Sequence, residues 1–79
     1  MEGLIEGRIV HYVMPNGEHR PAVVVRVWNP EGTVNLSVFI DGINDEPSQI
    51  GGIITTVWKT SIVYSDDKKP NTWHWTEKA

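Results

Sequence analysis

Residues 20–40 read RPAVVVRVWNPEGTVNLSVFI, and this stretch decides the fold. Two apolar runs flank Asn29-Pro30-Glu31-Gly32, four turn-forming residues. In the first run Val23, Val25 and Val27 point one way, and Ala22, Val24, Arg26 and Trp28 point the other. In the second, Val34, Leu36, Val38 and Ile40 share a face, with Asn35, Ser37, Phe39 and Asp41 opposite. A period of two in β-branched residues is the pattern of strands. Pro30 presets φ and Gly32 tolerates a positive φ, so the two strands are expected to close as a β-hairpin. The wholly aliphatic face is expected inside. The other carries Arg26, Trp28 and Phe39, an unusual set for a face turned to solvent.

On the N-terminal side, Met1 to Glu6 is a lead-in. Gly7 to Met14 (GRIVHYVM) is expected to form a strand that is apolar on both sides. Pro15-Asn16-Gly17-Glu18 closes it, because Asn-Gly is a strong hairpin-turn pair. Pro21 cannot donate to a ladder and belongs at a strand start or an edge. On the C-terminal side, Asp41-Gly42 ends the hairpin. The polar segment Ile43 to Gly52 reads as a functional loop with Gly51-Gly52 as a hinge. Ile53 to Trp58 is expected as a fourth strand, Ile62 to Tyr64 as a short fifth, and Thr72 to Thr76 (TWHWT) as a last extended segment. Five or six short strands joined by tight turns make an all-β domain over residues 1–79. The expected architecture is a small antiparallel SH3-like barrel, with an OB-like arrangement as the alternative.

Seventy-nine residues support one small core, which favours a homo-oligomer as a way to bury more surface. There is no cysteine, so disulfides, thiolate metal sites and a cysteine nucleophile are excluded. No apolar run reaches the roughly 18 residues of a membrane span. The start MEGLIEGRIV lacks the basic, apolar build of a signal peptide, so a cytoplasmic location is expected. Seven basic residues against ten acidic give a net charge of −3, a poor balance for a nucleic-acid polymer, which needs many cations to displace counterions. Four tryptophans exceed what so small a barrel can bury. Some are expected to serve a ligand or an interface.

Three groups of residues carry chemistry. Trp73 and Trp75 share one strand face, with His74 opposite; they can plug the barrel, meet a second subunit or stack on a base. Arg26, Trp28 and Phe39 pair a guanidinium with aromatic rings, a combination that binds an anion while a ring stacks on its base. His11, Tyr12, His19 and Arg20 flank the first turn and, with Arg8 and Lys59, can surround a phosphate. The histidines show no HxH or HExxH spacing, so no metal site and no cofactor is expected. Asp41, Asp45 and Glu46 read as a solvated acidic loop. No nucleophile–base–orienter set can be placed, so no enzymatic activity is expected.

The segments GRIVHYVMPNGEHRPAVVVRVW, TVNLSVFIDG, VWKTSIVYS and TWHW together resemble a family of small proteins encoded by bacteriophages and prophages. The resemblance runs from Gly7 to Trp75, and HRPA and TWHW are its most specific parts. It implies a place among virion components, inhibitors of host enzymes, or binders that sequester nucleotide signals of bacterial immunity. It carries over no site residues. The leading expectation is a non-enzymatic sponge for a nucleotide-derived small molecule, bound between subunits. Trp28, Phe39, Trp73 and Trp75 would supply rings, His19, Arg20 and Arg26 would hold phosphates, and Tyr12 and Tyr64 would reach ribose hydroxyls. The alternatives are a protein-interaction or virion module that uses the aromatic face, with a host protein as one partner, and a single-stranded nucleic-acid binder.

Overall fold

The computed structural model describes residues 1–45 and 54–77, and these form five strands and no helix. The strands are β1 (Ile9–Val13), β2 (His19–Val27), β3 (Val34–Phe39), β4 (Thr56–Ile62) and β5 (Trp73–His74). They form one antiparallel sheet in the order β4-β3-β2-β1-β5. The sheet curls on itself until a single bridge, Tyr64 to Trp73, joins the chain just after β4 to β5. The fold is therefore barrel-like but not closed by a continuous ladder. The Gly51-Gly52 pair, Glu46 and the expected strand start at Ile53 lie outside the described residues.

Both expected turns form. Gly17 and Gly32 take φ of 88° and 101°. Met14 N–H donates to Glu18 O across the first turn, and Trp28 N–H donates to Thr33 O across the second. Gly32 has a further constraint, since an added Cβ would lie 3.0 Å from Met1 Cε and 3.2 Å from Tyr64 Cβ.

The central hairpin departs from strict alternation at one point. Val24 pairs Leu36 but Arg26 pairs Asn35, so Val25 is an extra residue in a β-bulge. A one-residue insertion reverses the faces beyond it. Ala22 and Val24 therefore point inward, Val25 is exposed, and Val27 turns in to pack on the core. The expectation that Val23, Val25 and Val27 share the buried face is corrected accordingly. On β3 the expectation holds: Val34, Leu36 and Val38 are fully buried, and Ile40 just beyond the strand is nearly so.

A second correction concerns β4. The expected break at Lys59-Thr60-Ser61 is another bulge, between the Val34–Ile62 and Leu36–Lys59 pairs, and the strand runs through it. Ser61 takes φ of 56° there. Asn35 faces both bulges and is 6% exposed. Its Oδ1 accepts from Ser61 N–H at 2.9 Å, from Thr60 Oγ1 at 2.8 Å and from Trp28 Nε1 at 2.8 Å. One side-chain oxygen thus takes over donors that the bulge removes from the ladder.

Trp73 fills the middle of the curled sheet. It is fully buried, and its Nε1 donates to Gly32 O at 2.6 Å. Tyr64 and Trp75 pack edge-on against it at 4.9 and 5.2 Å between centroids. Tyr12, paired with Trp73 across β1–β5, is also buried, and its hydroxyl donates to Asn71 Oδ1 at 2.8 Å.

Candidate functional site

Alternation along β2, β3 and β4 places Asn35, Ser37 and Phe39 on the outer face. Trp58 pairs with Ser37 and faces out with them. Trp28 lies over Asn35 at one end of this face, bound through its Nε1. Trp28 is 48% exposed, Trp58 57% and Phe39 44%. Two indoles and a phenyl ring on one sheet face, open among the described residues, are costly to leave in water. Arg26 lays its guanidinium 4.0 Å from the Trp28 ring centroid, a cation–π contact.

The expected trio of Arg26, Trp28 and Phe39 is split. Arg26 pairs Asn35, and Phe39 lies four residues further along β3, about 13 Å away at the usual rise per residue. Phe39 instead neighbours Trp58 diagonally across the β3–β4 pair. Sequence reasoning did not select Trp58, although the alternation Thr56-Val57-Trp58 already turns it away from Val57.

Of the other expected ligand-binding residues, Tyr12 and Trp73 lie in the core, and Tyr64 and Trp75 pack against it. Tyr64 donates its hydroxyl to Asp66, and this bond with burial raises its pKa. Arg20 donates through Nε to Asp45 Oδ2 at 2.6 Å and through Nη2 to Asp45 Oδ1 at 2.8 Å and Glu18 Oε1 at 2.9 Å. The Arg20 hydrogen bond holds the Asp45 carboxyl below its usual range, helped by the Asp41 N–H. This bidentate pair welds the β2 start to the chain after β3. Arg8 donates to Gly3 O, and Lys59 lies 5.9 Å from the Tyr12 ring centroid. The expected phosphate group of His11, Tyr12, His19, Arg20, Arg8 and Lys59 is not assembled among the described residues, where Arg20, Arg8 and Tyr12 bond elsewhere and His11 and His19 come together.

The structure gathers a different set. His74 pairs His11 across β1–β5, and His11 pairs Pro21, two residues from His19 on β2. All three rings stand on the outer face of β5-β1-β2, with centroids 4.7 to 6.0 Å apart. The chain beyond β5 folds back and brings Glu77 over them. Glu77 Oε1 lies 2.8 Å from His74 Nε2, 2.8 Å from His19 Nδ1 and 3.4 Å from His11 Nδ1. Lys68 Nζ reaches Glu77 Oε2 at 3.7 Å. His74 is 3% exposed, and among the described residues its Nδ1 has no hydrogen-bond partner. Burial pushes its pKa down, and His19 and His11 add to that against the pull of Glu77. The hydrogen bond from His74, joined by those from His19 and His11, holds Glu77 down to about 2.

His74 and Glu77 were absent from the expected phosphate group, which held His11 and His19. Their separation in sequence hides them, because spacing rules capture only ligands on one helix or turn. The first hairpin alone offers a signal. The observed register, with Met14 opposite Glu18 across a three-residue loop, puts His11 and His19 diagonally opposite on one face. Comparison with protein-family models, with curated proteins and with solved structures finds no match to this chain. Among the described residues no helix is long and apolar enough to cross a membrane.

Proposed function

We propose that this chain is a non-enzymatic binding module that meets a protein partner through the outer face of β2-β3-β4. The observation that supports it is the exposure of Trp28, Trp58 and Phe39 on one sheet face that is open among the described residues. Tryptophan and arginine are the side chains that most often dominate interface energetics, and Arg26 lies beside Trp28. Trp58 is the central anchor in this reading, because it is the most exposed of the three rings and lies beside Phe39. A second copy is the simplest partner for so small a domain. Concentration-dependent sedimentation, with Trp58→Ser as the control, tests it: self-association lost in the variant supports the reading. If the chain stays monomeric, capture of a host or virion protein that depends on Trp58 supports it instead. A monomer whose interactions ignore Trp58 overturns it.

The second reading is the sponge for a nucleotide-derived small molecule, in line with the resemblance to phage proteins. The Arg26–Trp28 contact favours it, since an exposed indole with an adjacent guanidinium suits a base and its phosphate. A thermal-shift panel of cyclic dinucleotides and mononucleotides tests it. A rise in melting temperature abolished by Arg26→Ala supports the sponge, and a flat panel rejects it.

A further inference from the structure

We propose that His11 Nδ1, His19 Nδ1, His74 Nε2 and Glu77 Oε1 bind one divalent transition-metal ion of the zinc type. The four donor atoms come from three strands and the C-terminal segment, yet all lie within 4.8 Å of one another. Zinc–nitrogen bonds of about 2.0–2.1 Å make a tetrahedron with edges of about 3.3 Å. The contacts of Glu77 Oε1 to the three nitrogens, 2.8 to 3.4 Å, already bracket that edge. Small side-chain rotations open the centre for an ion.

The chemistry of the donor set fits. Without a metal, three imidazoles must each aim an N–H at the same carboxylate oxygen. If they also carry protons, three cations crowd within 6.0 Å. A single divalent ion replaces those protons with one centre that every donor already faces. Three imidazoles and one carboxylate suit zinc, cobalt or nickel, whereas magnesium and calcium select oxygen ligands. Four protein ligands close the coordination shell, which is the mark of a structural rather than a catalytic site. The ion fastens the segment after β5 to the β5-β1-β2 face. The exposed side of Glu77, 42% accessible, gives it a way in. His74 Nδ1 lacks the outer hydrogen bond that usually orients a metal-bound histidine. Packing alone therefore aims this ring, and the affinity falls about 10–100-fold short of a site with that partner.

This inference is independent of the aromatic face. Its test uses the untagged, full-length chain after chelator treatment, titrated with Co²⁺ as a spectroscopic stand-in. One equivalent is expected to give the intense visible bands of tetrahedral cobalt, and Zn²⁺ is expected to displace it while Mg²⁺ does not. His19→Gln is expected to weaken Co²⁺ binding at least tenfold, while its far-ultraviolet circular dichroism in chelator stays that of the wild type. Nitrogen-detected imidazole spectra with Zn²⁺ are expected to show metal on Nδ1 of His11 and His19 and on Nε2 of His74. They read the wild-type chain directly if a variant fails to fold. Weak, octahedral-type cobalt bands, equal affinity in His19→Gln, or imidazole shifts that ignore Zn²⁺ would each overturn the site.

Discussion

The outer surface of the sheet is finished in two opposite ways. Over β5-β1-β2 the chain covers itself: the C-terminal segment folds back, and His74 is left 3% exposed beneath Glu77. Over β2-β3-β4 nothing among the described residues covers Trp58, Phe39 or most of Trp28. Both faces start from the same alternation, and β2 belongs to both. They differ in what the outward residues can bond. Imidazoles can gather around one carboxylate of the same chain. Apolar rings are satisfied only by more apolar surface, and among the described residues none lies over these three. The first face closes over its own donor atoms, and the second presents its rings outward.

The buried and exposed indoles give the largest test of that contrast. Trp73→Ala empties the centre of the sheet and leaves Gly32 O without its donor. Its expected cost is about 3–5 kcal/mol, a large share of the roughly 4–12 kcal/mol available to a chain of this size. Urea denaturation should show the midpoint collapse or no folded baseline. A loss below about 1 kcal/mol would mean that the core does not depend on this ring.

Next in size is Asn35→Ala, on the exposed face itself. Three donors lose their acceptor: Trp28 Nε1, Thr60 Oγ1 and Ser61 N–H. Water can reach part of this cluster, so the expected cost is about 1–2 kcal/mol. The same change should free the Trp28 indole, which a shift and broadening of its fluorescence would report. An unaltered emission spectrum would mean that Asn35 does not hold the ring.

The hairpin, the turns and the alternation along β3 were legible in the sequence because local chemistry decides them: Asn16-Gly17, Pro30 and Gly32, and the run from Val34 to Ile40. The two bulges were not. Nothing in AVVVRVW says that Val25 is the extra residue; partner register across β3 decides it, with Asn35 ready to absorb the donors set free. The aromatic excess was legible as a count. Its division, with Trp73 inside and Trp58 outside, follows from the strand pairing. The histidine cluster is the extreme case, because its three rings come from chain positions 11, 19 and 74 and meet only when β1 pairs with β2 and β5 at once.

Acid should affect the two faces unequally, by less again. Burial depresses the His74 pKa below 6.5, so the unfolded chain binds more protons than the folded one just below that pH. Stability is then complete above pH 6.5 and falls as pH drops through the lowered folded value. Glu77 adds a second window: its contribution is present above its usual 4.5 and is lost as pH falls through about 2. The groups facing His74 are His11, His19 and Glu77, with Lys68 behind Glu77. In chelator, Glu77→Gln removes the pull that raises His74, so the loss below pH 6.5 should steepen while the window below 4.5 shrinks. Urea midpoints from pH 8 to 3 measure both. Identical profiles for the variant and the wild type would separate Glu77 from the histidines.

The smallest effect on stability is expected where the effect on function is largest. Trp58 is 57% exposed on a strand at one end of the sheet, and its pair partner is the small Ser37. Replacing it with serine removes little buried area, so the expected change is within about 0.5 kcal/mol, as for most surface substitutions. A ring retained for folding would cost several times that. A ring retained for a partner costs nothing in the isolated chain and far more in the complex, where truncating an aromatic anchor typically loses 2 kcal/mol or more. Stability and association measured on the same Trp58→Ser protein therefore separate the two purposes. If stability falls by more than about 1 kcal/mol while association is untouched, the outer face belongs to the fold, and the contrast between the two faces disappears.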